Sequence, residues 1–350
     1  MKKMRFVYLD HARAIGAYLV IFGHLLPYDN VIPRMYIYSF HMALFFMISG
    51  LLHKETGSIQ IKKFFITLIL PVFFFNLLLW VIETPFWQSG IWNFNHRFGV
   101  DLPDSIFETY WFTLKSTVGF FIIYGTKAAS GPCWFLVSLF LCKCILNIMS
   151  KYRYHKLLVL GIMILGFIFF TLSRTRLLFL GSTFMGFPFF LMGYLSKEKW
   201  NDITNKMNSL NKFFWGVFAI VAMILLTYYN GPVSVLGVKF GIQSRLISVP
   251  LFYINGCLGS VGIMLICSCI NNFAEFSHRI ADSLITILGF QVILVYFAWY
   301  NFDTLHMSPI GSALLSLPIL FICCFVHNII STYIPFIIGK KINKRCITSQ

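Results

Sequence analysis

Apolar stretches of about 20 residues recur along the whole chain, and each is long enough to cross a bilayer as a helix. That repetition leaves few folds open. In hydrocarbon no water satisfies the backbone, so only helices and closed barrels span it, and unbroken aliphatic and aromatic runs favour helices. Charged residues are 11% of the chain. A soluble domain carries roughly 25%, so these are too few to coat a water-soluble surface. The spacing predicts spans at 8–27, 36–53, 64–82, 132–150, 156–173, 177–195, 213–229, 247–270, 282–300 and 311–335. Breakers such as Pro27, Gly57, Pro132, Gly231 and Asn271 separate them. The expected class is all-α: a polytopic membrane helix bundle of about ten transmembrane helices. It forms one domain over 1–345, with 346–350 as a short cytoplasmic tail.

The formal charge of +16 invites a nucleic-acid reading. The excess is distributed by loop rather than gathered in one patch, which excludes that class. With the N-terminus in the cytoplasm, Lys and Arg divide 18 to 8 in favour of the inside loops. This is the positive-inside bias, and it places both termini in the cytoplasm. Arg13 and Lys143 fall inside spans. Lys2, Lys3 and Arg5 ahead of an apolar run imitate a signal peptide. Asp10, His11, Arg13 and His24 interrupt that run and no small-residue cleavage site follows, so it reads as a retained first helix. The cysteines lie mostly in apolar stretches without zinc-site spacing and read as small apolar residues, with no metal site.

The connection at 83–131 is longer than a turn and faces outward on this topology. It carries Trp87, Trp92, Trp111, Asp101, Asp104 and Glu108, and its middle, 116–124, is apolar enough to dip into the interface. Aromatic rings beside carboxylates suit a carbohydrate, which makes Trp111 and Glu108 candidate substrate contacts. An interfacial aromatic belt accounts for the same residues equally well. No internal repeat points to a transporter built from two halves.

Ionisable residues inside a membrane helix are costly and point to function. Arg13 and His24 are eleven positions apart. Their side chains therefore point within ~20° of one another, ~16 Å apart along the axis. Asp10 precedes Arg13 by three positions, close enough to pair with it. The second helix carries His41 a few residues inside its outer end, as the first carries His24. A short turn makes the two helices antiparallel neighbours, so both imidazoles belong at similar depth. His11 points about 100° from Asp10 and reads as packing. Lys143 reads as snorkelling near the inner surface, and His278 and His327 as loop or interface residues.

The stretches LDHARAIGAYLVIFGH and FHMALFFMISGLLHK resemble the acyltransferase-3 family of membrane O-acyltransferases, particularly its fucose 4-O-acetylase-like branch. Arg13 and His24 match the family's Arg-x10-His mark, and Asp10 matches the acidic residue before it. Phe40 and His41 through Ser49 and Gly50 match the second-helix pattern. Trp134, Phe135 and Leu136 are similar to its Trp-Phe-Leu helix start and make Trp134 a candidate substrate contact. The resemblance implies transfer of an acyl group, usually acetyl, from cytoplasmic acyl-coenzyme A to a hydroxyl of a cell-envelope sugar or polysaccharide. It ties His24 to catalysis, makes Arg13 essential, and implies a bacterial inner membrane. Acyl-coenzyme A is then a co-substrate and no cofactor is held permanently. A neutral imidazole can take the proton of an attacking hydroxyl, or can itself accept the acyl group and relay it; both roles stay open for His24. Many relatives carry Arg-x3-Arg just before a Pro at the third helix. Here Pro71 is preceded at those positions by Leu68 and Phe64, and Lys62 and Lys63 are the cations left to meet coenzyme phosphates. A His common late in the family is replaced by Gln291. The competing class is a transporter or flippase for a lipid-linked sugar or small solute, with Asp10, Arg13, His24 and His41 as a proton relay.

Overall fold

Each predicted span needs a continuous helix, and the computed structural model supplies one for every span except 156–173. It describes residues 6–27, 31–54, 60–92, 100–119, 131–149, 180–235, 245–270, 272–301 and 307–340, with single helical positions at 157, 161 and 165. The predicted 156–173 span and the 346–350 tail otherwise lie outside the described residues. The helices are α1 (Val7–Leu25), α2 (Val31–Leu51), α3 (Ile61–Gln88), α4 (Ile106–Gly119), α5 (Trp134–Met149), α6 (Leu180–Lys206), α7 (Ser209–Asn230), α8 (Arg245–Cys267), α9 (Ala274–Asp282), α10 (Leu284–Asn301) and α11 (Pro309–Tyr333). No strand occurs among the described residues. Six of them (α2, α3, α7, α10, α11 and Ile247–Cys267 of α8) are long and apolar enough to cross a bilayer. The chain is thus a polytopic helical membrane bundle.

α1 and α2 occupy the centre. α2 packs on α1, α6, α7 and α8, while α1 also meets α8, α9, α10 and α11. The α2–α6 seam is close because both helices present glycine. A Cβ on Gly50 would run into the Phe190 carbonyl oxygen, and one on Gly193 into that of Met47. Small residues at a crossing let backbones approach, the usual source of packing energy where lipid offers no hydrophobic drive. The outer face of α7 shows Phe213, Phe214, Phe218, Leu225 and Tyr228, all exposed in the isolated chain. A patch of that kind suits a membrane helix.

Two segments differ from the sequence reading. α3 runs on to Gln88 instead of ending near 82, which brings Glu83 inside a helix, where it is buried. The long connection then contains α4, held to α3 by Trp80 Nε1 donating to the Tyr110 carbonyl (3.0 Å) and by the Thr84 and Thr113 hydroxyls (3.3 Å). Periodicity missed this helix because Thr and Tyr, rather than aliphatic residues, make its inner face. Near its start α3 has a π-turn at Phe65–Ile69, directly before Pro71. The proline ring would strike the carbonyl of Thr67 in a regular α-helix, and the wider turn relieves that.

Candidate active site

Asp10 and Arg13 sit one turn apart on α1, with Nη1 3.3 Å from Asp10 Oδ1. Asp10 is only 6% exposed. α9 brings a second polar side chain near that carboxylate: His278 Nδ1 stands 3.9 Å from Asp10 Oδ2 and 3.6 Å from Asp282 Oδ1. Lys340 Nζ lies 3.9 Å from Asp282 Oδ2 and 3.2 Å from His327 Nε2. His327 Nδ1 is 2.9 Å from the Thr286 hydroxyl. A continuous polar chain therefore runs from Arg13 through α9 to α10, α11 and the segment after them. This corrects the reading of His278 and His327: His278 partners the motif carboxylate, and His327 is buried. His11 turns the other way, its Nδ1 2.7 Å from Ser277 Oγ, and fastens α9 to α1.

At the far end of α1, His24 is half-buried and His41 is 2% exposed. Tyr38 lies between them, its ring centroid 6.4 Å from His24 and 5.1 Å from His41, edge-on to both. Its hydroxyl donates to the Gly23 carbonyl at 3.2 Å, which locks α2 against α1 at that depth. Arg34 stacks over the same ring at 5.7 Å. His41 Nδ1 is 2.7 Å from the Ile37 carbonyl. A carbonyl only accepts, so Nδ1 carries the hydrogen and Nε2 is left with the lone pair. Tyr38 escaped the sequence reading, although its position one turn before His41 puts it on the same face.

The remaining candidates scatter. Lys62 and Lys63 are exposed at the start of α3. Trp111 is 54% exposed on α4, with Lys115 Nζ 5.2 Å above its ring, and Glu108 is exposed one turn earlier. Trp134 is 5% exposed and packs edge-on to Phe135 in the core, so it does not share a surface with those two.

A family model described as an acyltransferase domain matches residues 6–329, nearly the full chain and every residue of the site above except Lys340. The chain belongs to the acyltransferase-3 family. It is also 33% identical over 132 residues to nodulation protein NolL of Mesorhizobium japonicum, an alignment covering 33% of this chain and 34% of that protein. The chain thus spans about a third of that relative's length. No solved structure matches. The protein is accordingly a membrane-embedded member of that family.

In this family member, cations from other helices gather near the basic end of α1. Lys143 of α5 holds its ammonium 5.7 Å above the Phe64 ring, within the electrostatic field of Arg13 and Lys63. α2 ends at Leu51, which leaves His53 outside the span. The His53 carbonyl accepts from Lys197 Nζ at 3.2 Å, and its ring lies 6.2 Å from Phe64. Burial first, then the Lys143 and Lys197 charges, push His53 down to about 4. The missing arginine pair of α3 thus coincides with lysines converging from α3, α5 and α6. Sequence spacing could not show that, because the three helices meet only in the tertiary fold.

Proposed function

We propose that the enzyme moves an acetyl group from acetyl-coenzyme A, bound from its basic cytoplasmic side, to a hydroxyl of a cell-envelope sugar in a bacterial inner membrane. One observation carries this reading: a single helix bears Arg13, held by Asp10, at one end and the half-buried His24, grouped with His41 by Tyr38, at the other. The phosphates of the coenzyme are assigned to Lys62, Lys63, Lys143 and Lys197, a group of ammoniums suited to a polyanion. Its acyl end then extends along the α1 stripe toward His24. The sugar hydroxyl attacks the thioester carbonyl carbon and gives its proton to the His24 imidazole. The new C–O bond forms, the C–S bond breaks, and the departing coenzyme thiolate takes the proton from the imidazolium. Trp111 and Glu108, on the exposed face of α4, are the proposed contacts of the acceptor.

The test is incorporation of label from radioactive acetyl-coenzyme A into the saccharide fraction of membranes containing the protein. Incorporation above that of membranes lacking the chain is expected. His24→Ala is expected to lower it by at least about 10²-fold, in line with loss of a general base, at unchanged protein level. Full activity in that variant would remove His24 from the reaction. No incorporation by the unaltered chain would sink the proposal.

A further inference from the structure

Acyl transfer puts negative charge on the oxygen of the thioester carbonyl as its carbon becomes tetrahedral, and a site for that step needs a donor aimed at the oxygen. The residues around His24 decide which group can serve. Tyr38 has one hydroxyl hydrogen, and it goes to the Gly23 carbonyl at 3.2 Å. The His41 Nδ1 hydrogen goes to the Ile37 carbonyl at 2.7 Å, which leaves Nε2 as an acceptor. His24 itself is the proposed base. None of the three has a hydrogen for a developing oxyanion.

Arg34 has such hydrogens. It stands one turn before Tyr38 and two before His41 on α2, and positions seven apart share a helix face to within about 20°. The ring contacts agree with that stripe. Arg34 Cζ is 5.7 Å from the Tyr38 ring centroid, and Tyr38 is edge-on to both imidazoles. Arg34 therefore lies on the face of α2 that meets the His24 end of α1, close enough for its charge to act on the His24 ring. Stacking restrains a guanidinium without consuming its donors, which lie in its plane. Five N–H groups in a fork let it hold a carbonyl oxygen whatever else it touches. His24, Arg34 and Tyr38 are all partly exposed whereas His41 is buried, so guanidinium and imidazole lie at the accessible edge of the group. Arg13 cannot supply this donor, being ~16 Å away along α1. An arginine at the end of a membrane helix can serve only to reach the interface. Stacking on the ring between two imidazoles is not required for that.

We propose that Arg34, stacked on Tyr38 beside His24, is the oxyanion-stabilising residue of the acyl transfer. As the acceptor hydroxyl oxygen bonds to the carbonyl carbon, the C=O π pair moves onto the carbonyl oxygen, and the Arg34 fork donates to it. His24 holds the hydroxyl proton meanwhile. Collapse returns the pair to the C=O bond, breaks the C–S bond and sends the proton to the departing thiolate. Arg34 gives up no proton and ends the cycle unchanged. The inference rests on the role proposed above for His24 and adds the group that stabilises the opposite charge.

The experiment measures acetyl transfer from radioactive acetyl-coenzyme A into the membrane saccharide fraction, over a range of donor and saccharide concentrations, for the full-length chain and its variants at equal protein level. Arg34→Ala is expected to lower kcat by about 10²- to 10³-fold, the loss typical of an oxyanion donor. The KM for acetyl-coenzyme A and the Tm in detergent are expected to stay close to those of the unaltered chain, because the contact forms only in the transition state. Arg34→Lys, which keeps the charge but not the fork, is expected to fall between Arg34→Ala and the unaltered chain. Methylguanidinium added to Arg34→Ala is expected to restore part of the lost rate, and to leave His24→Ala inactive. A lowered Tm with no such rescue would make Arg34 a packing residue and overturn the inference. A loss fully recovered by more of the saccharide fraction would place Arg34 in acceptor binding and overturn it too, as would full activity in Arg34→Ala. Should Arg34→Ala not fold, Arg34→Gln takes its place with the same readings. No transfer by the unaltered chain would defeat the function proposed above, a result distinct from a fully active Arg34→Ala.

Discussion

Asp10 is the most constrained residue of the site. Its carboxylate is buried between a guanidinium on its own helix and an imidazole from α9. Removing the charge leaves Arg13 without the anion that orients it. A buried, charge-assisted hydrogen bond is worth about 1.5–3 kcal/mol, so Asp10→Asn is expected to lower acetyl transfer by roughly 10- to 100-fold. His278→Ala is expected to lower it less. Because His278 acts through Asp10, the double variant is expected to be no worse than Asp10→Asn alone, a non-additivity that a double-mutant cycle reads directly. Strictly additive losses would show that His278 contributes by some route other than Asp10. The Asp10–Arg13 pair was legible from spacing alone, since positions three apart share a helix face. The His278 contact was not, because 268 positions separate it from Asp10 and only the docking of α9 on α1 brings them together.

At the scale of the element, the α2–α6 seam depends on the absence of side chains. A Cβ on Gly193 would meet main-chain atoms of Met47, and a backbone in mid-helix has no rotamer through which to yield. Gly193→Val is expected to destabilise the folded protein by about 2 kcal/mol, typical of overpacking. Thermal unfolding in detergent would read this as a lowered Tm; an unchanged Tm would mean that α2 and α6 stand further apart than described. The same seam carries His53 and Lys197 at its basic end, so the variant is also expected to weaken acetyl-coenzyme A binding. Helix α3 teaches a different lesson. Apolar periodicity located its middle, yet its C-terminal end and all of α4 went unread. Glu83, Thr84, Thr109 and Thr113 look like loop residues in a sequence, yet they are buried, with the Thr84 and Thr113 hydroxyls meeting across the two helices and Thr109 donating to Gln88 Oε1.

For the whole molecule, the charge bias between loops predicts that both chain ends face the cytoplasm. A fluorescent protein fused to either end is expected to mature there, whereas a periplasm-dependent phosphatase fused at the same points is expected to stay inactive. Phosphatase activity from either end would reverse the assignment of the coenzyme side and with it the direction of transfer. An almost wholly aromatic and aliphatic face on α7 is consistent with a helix of a membrane bundle.

What the amino-acid order determined by itself was local. Apolar run length set the class, because a buried backbone in lipid has few alternatives to the helix. The 3.6-residue repeat aligned Arg13 with His24 and paired Asp10 with Arg13. Loop charges give the expected orientation of the chain. The tertiary structure alone decided which distant residues join those few: Tyr38 between the imidazoles, His278 near Asp10, and lysines of α5 and α6 around His53. Such contacts depend on how helices far apart in sequence dock, and that is settled by shape, small residues and polar satisfaction across interfaces, none of which leaves a periodic signal in a single segment.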